Sequence, residues 1–577
     1  MPAEPRPVPS SSLGSEKASA LHAALLLLLC GALYFPYLGA IPFFDKGEPR
    51  EALAVQDIVQ RGEWLVPLKR ATDIPSKPPL FHWSAALIAE MNGALTEAAI
   101  RFPSALYATL GVLLIYGLGV KIFNRKTALL GAAILATTMV YQDQALSARV
   151  DMTLCFVVIA GLTLFYALYR GDLAHPIWFY LFYAVVGIGT LAKGPLGVLL
   201  TALVAGSLAL FERRWDMIRK FVFHPGVALM LGLAAGWYAI AVARGGEGFF
   251  DRQILQENLS RFVGGSGHSH PVYYYLPYLF SQSIPWSLFL PFLLWEIFRR
   301  GRRMDTGRRF LTLWFLAMFA FFSISSGKRP VYLLPIYPAL ALLLAAWFHD
   351  AGDAGSGRRW FYRIVAGFAA VTGALLLAIT VGAFWNHEFG WFFGPIERLL
   401  RAKDRANVVA VRTQLDSFGW SFTWVSLLVG ALWLWLGQSL WRARLHAAAR
   451  LLAAVSILHG FIGWSAVMPV IARDKSYRSF MDEVNRRVGP EQRIFLYGAF
   501  NSDPVVFYRG AVIPKLDRPP QIVAADSGAG NGWLIMPERQ WKQMQKIAAD
   551  LPAPMVRSEG KGPEGDAPLV LVRVDLS

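Results

Sequence analysis

The sequence predicts a mainly α, multi-pass membrane protein of about 13 transmembrane helices that ends in a small α/β domain. Three observations carry that expectation. Of the 577 residues 55% are hydrophobic and mean hydropathy is +0.40, a composition typical of polytopic membrane proteins. Uncharged runs close to the 20 or so residues needed to cross a bilayer core recur along most of the chain. Basic residues gather in every second loop between those runs, as expected when Lys and Arg stay on the inner side of a membrane.

The segment 1–19, rich in Pro and Ser, reads as a disordered tail on the inner, cytoplasmic side. Candidate spans follow near 20–40, 103–123, 127–146, 150–169, 177–193, 195–211, 223–243, 273–298, 310–325, 331–348, 364–385, 418–437 and 450–470. The first run is too long, and too poor in small residues at a cleavage site, to be a signal peptide, and it counts as a span. Loops holding Lys121/Arg125/Lys126, Arg170, Arg213/Arg214/Arg219/Lys220, the run "RRGRRMDTGRR" from Arg299, Arg358/Arg359/Arg363 and Arg442/Arg444/Arg450 are assigned inside. This placement accounts for the net charge of +17 without nucleic acid. Cys30 and Cys155 both fall in predicted spans and imply no disulfide framework. The transmembrane domain is thus 20–471. From 472 to 577 the texture changes: "RDKSYRSFMDEVNRRVG" reads as an amphipathic helix, and "RIFLYGAF", "VVFYRG", "GWLIMP" and "PLVLVRV" read as strands of an α/β domain outside the membrane.

The outer loops carry the chemistry. In the first, "FFDKGEPREA" places Asp45, Glu48 and Arg50, the last a candidate substrate-binding residue, directly after an apolar run. Glu48 can cap a helix, Pro49 suits its first turn and Gly62 its end. Ala52, Val55 and Val59 share one face and Arg50, Asp57 and Arg61 the other, which predicts a helix lying flat in the membrane interface. In "IPSKPPLFHW", Lys77 precedes two prolines and suits a phosphate oxygen as a compact charge; the competing reading is a lysine snorkelling to lipid headgroups. "YQDQALSARVDM" puts Arg149 and Asp151 at the mouth of a span, where a carboxylate is expensive unless it is paired or useful. "LAKGPLG" leaves Lys193 between two spans. "SSGKRPVYLLP" adds Lys328, Arg329 and Tyr332. These cations stand on the side where the inside rule disfavours them, so a bound anion such as a lipid phosphate is expected to stabilise them. His268 and His270, with His82 on the same side, are weak metal candidates, because an H-x-H in a Gly/Ser loop is more often solvated than ligating.

In chain order, Glu48-Pro49-Arg50, "WLVP" from Trp64, "KPPL" from Lys77, "RFPS" from Arg101, "ARVDM" from Ala148, "LAKGP" from Leu191 and "SGKRPVYLLP" from Ser326 resemble the family 39 glycosyltransferases of GT-C fold, nearest the aminoarabinose lipid A transferase branch. The resemblance covers about 20–470. It implies a bacterial inner-membrane enzyme, with its site and C-terminal domain periplasmic. Such an enzyme takes a sugar from a polyprenyl-phosphate carrier and passes it, with inversion, to a lipid acceptor such as lipid A. It further implies Lys77 on the leaving phosphate, Arg149 and Asp151 at the mouth of the site, and Lys328 and Tyr332 in the late motif, with Glu48, Asp45 or Asp151 as the catalytic carboxylate. Two departures bear on the roles. Gly47 stands where the family has Asp, which leaves Glu48 and Asp45 as alternatives, and Ser76 stands where an acidic residue is common, so no metal or other cofactor is expected. The competing functions are a protein O-glycosyltransferase of the same fold and a flippase for polyprenyl-linked lipids; the latter would carry polar groups to mid-membrane depth and often an inverted repeat, whereas this chain keeps its charge at one face.

Overall fold

A computed structural model describes residues 10–575 apart from 71–72, 252–269, 353–358, 387–389, scattered positions between 401 and 419, 518–530, 548–552 and 564–567. Among the described residues nine helices are long and apolar enough to cross a membrane. The other four candidate spans fall on interrupted or shorter segments. The 127–146 run breaks at Thr138 into Arg125–Thr137 and Met139–Ala145. The runs at 177–193 and 195–211 give the shorter apolar helices Ile177–Lys193 and Leu196–Phe211. The 273–298 run divides into Tyr275–Gln282 and Leu290–Arg300, separated by a 3₁₀ turn that follows Pro285; proline at that point removes a backbone donor. The first helix starts at Ser10, earlier than the expected tail would allow.

Ion pairs knit the loops assigned inside into one end of the bundle. Arg309 meets Glu212 at 2.6 Å, Arg300 and Arg308 meet Asp350 at 2.8 and 2.7 Å, and Lys121 meets Asp172 at 3.0 Å. The acidic residues in these loops are the local counter-charges that let so many arginines pack together.

The C-terminal domain is a five-stranded mixed sheet with order β2-β1-β3-β5-β4. β1 (Ile494–Tyr497) runs parallel to β2 (Lys515–Leu516) and β3 (Asn531–Pro537), while β5 (Leu569–Asp575) is antiparallel to β3 and to β4 (Val556–Arg557). "VVFYRG", expected as a strand, is the helix Asp503–Arg509. Acidic Asp503 and then Pro504 open it and Gly510 closes it at φ 74°; these start and stop signals outweigh the β-branched pair Val505-Val506. The helix Arg478–Arg487 packs with Asp503–Arg509 in one core, and the helix Glu538–Ile547 covers the other side of the sheet.

The helix Gly47–Arg61 is where the two parts join. Pairing of its Ala52, Val55 and Ile58 with Phe81 and Ala85 on one side and Val505, Val506 and Phe507 on the other makes one continuous core. It is therefore covered on both faces: Asp57, expected on a solvated face, is buried and accepts a hydrogen bond from the Leu68 amide at 2.8 Å.

Candidate active site

The local sequence explains how the first carboxylate reaches its place. Asp45 precedes the helix Gly47–Arg61, and its Oδ1 accepts from the amides of Gly47 at 2.5 Å and Glu48 at 2.9 Å, satisfying helix-end donors that have no intrahelical partner. Asp45 is thus the cap, the role expected of Glu48. Its Oδ2 accepts from Arg149 Nη2 at 2.6 Å and Nε at 3.2 Å, a side-on pair that spans more than a hundred residues of chain. Burial alone would raise the Asp45 pKa, but the Arg149 guanidinium and the two amides outweigh it and hold the carboxyl below its ordinary range.

Glu48 does not face this cluster. Its Oε1 accepts from Arg101 Nε at 2.7 Å and from the Ala148 amide at 2.9 Å, and its Oε2 accepts from Arg101 Nη2 at 2.8 Å. Both side chains are 2% exposed. Arg101 also donates to the carbonyls of Leu38 and Ile41, at 2.9 and 2.5 Å. The pair locks the exit of the first span to the helix Glu97–Ile122 and leaves neither Glu48 oxygen for substrate.

Arg149 and Asp151 are not each other's partner. The Lys193 ammonium is hydrogen-bonded to Asp151 Oδ1 and sits 4.4 Å from the centre of the Tyr332 ring. The charges of Arg149 and Lys77 also reach Asp151. A small cavity beside them is lined by Asp151, Lys193, Phe322 and Tyr332. Lys193 is presented by a sharp turn between the short helix Thr190–Lys193 and the helix Leu196–Phe211, and Gly194 makes that turn at φ 67°. So Asp45, Lys77, Arg149, Asp151, Lys193 and Tyr332, drawn from four of the loops assigned outside, share one end of the bundle.

The remaining predicted residues stand apart. Lys328 is buried and donates to the carbonyls of His270, at 3.0 Å, and Ser325, so it fixes the loop that carries Tyr332. The Arg329 amide donates to the Tyr275 hydroxyl at 3.3 Å. His270 stacks on Tyr274 with ring centres 4.1 Å apart, and His268 lies outside the described residues. Among the described residues no three His, Cys, Asp or Glu side chains are arranged to hold a metal ion.

Asp143, Glu51 and Asp503, which the sequence reading passed over, also belong here, and His82, read there only as a weak metal candidate, takes a different place. Asp143 is a further carboxylate whose charge reaches Arg149; the only signal was its place in "YQDQALSARVDM". Glu51 pairs with Arg50 through one carboxylate oxygen and with His82 through the other. Asp503, from the C-terminal domain, pairs with Arg70 and lies 3.7 Å from Lys69, and its charge reaches Arg50.

The chain is similar to known proteins in sequence and in fold. The family model for dolichyl-phosphate-mannose-protein mannosyltransferases matches residues 76–239, the stretch from Lys77 past Lys193. Among curated relatives, the undecaprenyl phosphate-alpha-4-amino-4-deoxy-L-arabinose arabinosyl transferase of Pectobacterium atrosepticum is 28% identical over 392 residues, covering 66% of this chain and 68% of that one. Its counterpart in Pseudomonas aeruginosa is 31% identical over 326 residues, covering 56% and 58%. The chain spans 61 to 68% of the length of the first four such relatives. In three dimensions it resembles ArnT from Cupriavidus metallidurans bound to undecaprenyl phosphate, with a TM-score of 0.73 at 20% identity, covering 96% of this chain and 97% of that one. The apo form of that protein superposes with a TM-score of 0.71.

Proposed function

For a chain that belongs to the polyprenyl-phosphate glycosyltransferases of GT-C fold, on the aminoarabinose-transferase branch, we propose the transfer of a sugar from undecaprenyl phosphate to a lipid of the bacterial envelope, lipid A being the acceptor that the resemblance implies. The reaction takes place on the periplasmic face of the inner membrane. The observation that carries this reading is the pairing of Asp45 with Arg149 and of Asp151 with Lys193 at the end of the bundle opposite the basic loops.

The chemistry asked of the site is displacement at a sugar carbon. An acceptor oxygen forms a bond to the anomeric carbon as the bond from that carbon to the carrier phosphate oxygen breaks, and undecaprenyl phosphate leaves with the electron pair. Negative charge grows on the departing phosphate, and Lys77, Arg149 and Lys193 are the cations available to meet it. Fixed charges in a site shielded from water act at this step without reorganising. If the acceptor oxygen belongs to a phosphate, it is already ionised and needs only positioning. If it belongs to a hydroxyl, its proton passes to Asp45 or Asp151, the two carboxylates that share the cluster with these cations. Glu48 is outside this scheme because Arg101 and the Ala148 amide hold both its oxygens.

The scheme is tested by kinetics of variants of the full chain in nanodiscs, using a radiolabelled undecaprenyl-phosphate sugar and envelope lipids. Removing one such charge-stabilising donor lowers turnover by roughly 100- to 1,000-fold, so Lys193→Ala is expected to lose that much in kcat. An unchanged kcat in Lys193→Ala and Asp151→Asn would contradict the scheme. Label arriving on a protein rather than a lipid would move the chain to the protein-modifying reading, which the matched family description makes the next candidate.

A further inference from the structure

Arg50 is held in a way that packing alone does not explain. Its Nε and Nη2 donate to Glu51 Oε1 at 3.1 and 2.9 Å, and Glu51 Oε2 is hydrogen-bonded to His82 Nε2 at 2.9 Å. Arg50 is one-third exposed, Glu51 is nearly buried and His82 is entirely buried. An ionised carboxylate only accepts, so Nε2 carries the imidazole proton. The other nitrogen, Nδ1, is buried with no partner. The neighbours of His82 along the helix Leu80–Asn92, Phe81, Ala85 and Ala86, belong to a buried apolar core, where a Phe or Leu at position 82 would leave no polar atom stranded. Leaving such an atom unsatisfied is costly, and so is burying Glu51 unless it is paired. Both costs converge on a single outcome: the angle at which the Arg50 guanidinium is presented. Its Nη1 donates to nothing among the described residues, and the charges of Arg149 and Asp503 both reach it.

We propose that Glu51 and His82 are positioning residues that hold Arg50 as a second anion-binding group beside Lys77, Arg149 and Lys193, with its free Nη1 edge directed to a phosphate oxygen of the carrier. This rests on the reading of the site as a polyprenyl-phosphate site. Neither Glu51 nor His82 touches substrate. The relay works because a carboxylate fixed at both oxygens cannot swing, so the Arg fork loses little freedom when a phosphate arrives.

The test is binding of undecaprenyl phosphate to the full-length protein in nanodiscs, with thermal midpoints measured in parallel. A charge-assisted hydrogen bond is worth about 1.5–3 kcal/mol, so Arg50→Ala is expected to weaken binding by roughly 10- to 100-fold. His82→Phe and Glu51→Gln are expected to weaken it by about tenfold, His82→Gln, which keeps a donor for Glu51, to restore most of the loss, and Glu51→Gln to add nothing further in the Arg50→Ala background. That non-additivity separates positioning from general damage. Equal losses from Glu51→Gln with and without Arg50, or wild-type binding by the folded His82→Phe protein, would overturn the proposal. If Lys77→Ala and Lys193→Ala bind as tightly as wild type, the carrier-site reading falls and this inference with it; if they weaken binding while Arg50→Ala does not, this inference alone falls.

Discussion

At the scale of single residues, two carboxylates three positions apart have opposite fates. Glu48 is part of the framework: breaking a buried ion pair by removing one partner costs about 3–5 kcal/mol, so Glu48→Ala should lower the thermal midpoint and the yield of folded protein. Glu48→Ala protein that is as stable as wild type but catalytically dead would contradict this. Asp45 faces the cluster, and its pKa in the folded protein lies below the ordinary value. A depressed carboxyl contributes stability that is fully present above its unfolded pKa of about 3.9 and is lost as pH falls through the lower folded value. Stability therefore should not change through Asp45 between pH 5 and 8, and the Asp45→Asn protein should differ from wild type by a constant offset across that window. The sequence could not separate these two acids. Capping logic favoured Glu48, next to Pro49, but the choice is made by Arg101 and Arg149, about 50 and 100 residues away, and no local pattern reports which arginine returns to which acid. Lys77, Arg149, Asp151 and Lys193 were legible because charge on the disfavoured side of a membrane is itself informative.

At the scale of elements, long uninterrupted helices were readable from apolar length alone, and the broken ones were not. Thr138 and Pro285 interrupt runs whose mean hydropathy still looks like a span. The element with most leverage on the site is the turn that carries Lys193. The backbones of Gly189 and Gly197 cross so closely that a Cβ on Gly197 would lie 2.3 Å from the Gly189 carbonyl carbon. No real side chain tolerates that contact, so Gly197→Ala must push the helix Leu196–Phe211 away and displace Lys193 from Asp151. Gly197→Ala is expected to lose most transfer activity while the C-terminal domain stays folded, checked by turnover together with protease resistance of the 472–577 region. The strand expected at "VVFYRG" failed for a different reason: Asp503-Pro504 at one end and Gly510 at the other specify a helix boundary by boundary, and its Val505, Val506 and Phe507 are needed on one buried face against the helix Gly47–Arg61.

At the scale of the whole molecule, the C-terminal domain is built into the end of the bundle that holds the candidate site. Glu97 accepts from Arg478 and from the Tyr508 hydroxyl, each at 3.1 Å, the Phe43 amide donates to the same hydroxyl at 2.9 Å, and Arg70 pairs with Asp503. Truncation after residue 471 would expose the helix that begins beside Asp45, so the shortened chain is expected to lose carrier binding as well as transfer. The division of charge, with basic loops at one end and the paired acids and cations at the other, is what an enzyme working at one membrane face needs. The most direct test of the central claim is to reconstitute the purified chain with a radiolabelled undecaprenyl-phosphate sugar and envelope lipids and follow the label. Label moving from the carrier to a lipid in wild type, and abolished in folded Asp151→Asn and Lys193→Ala proteins, is the predicted result; carrier bound tightly with no label transferred to any acceptor would contradict it.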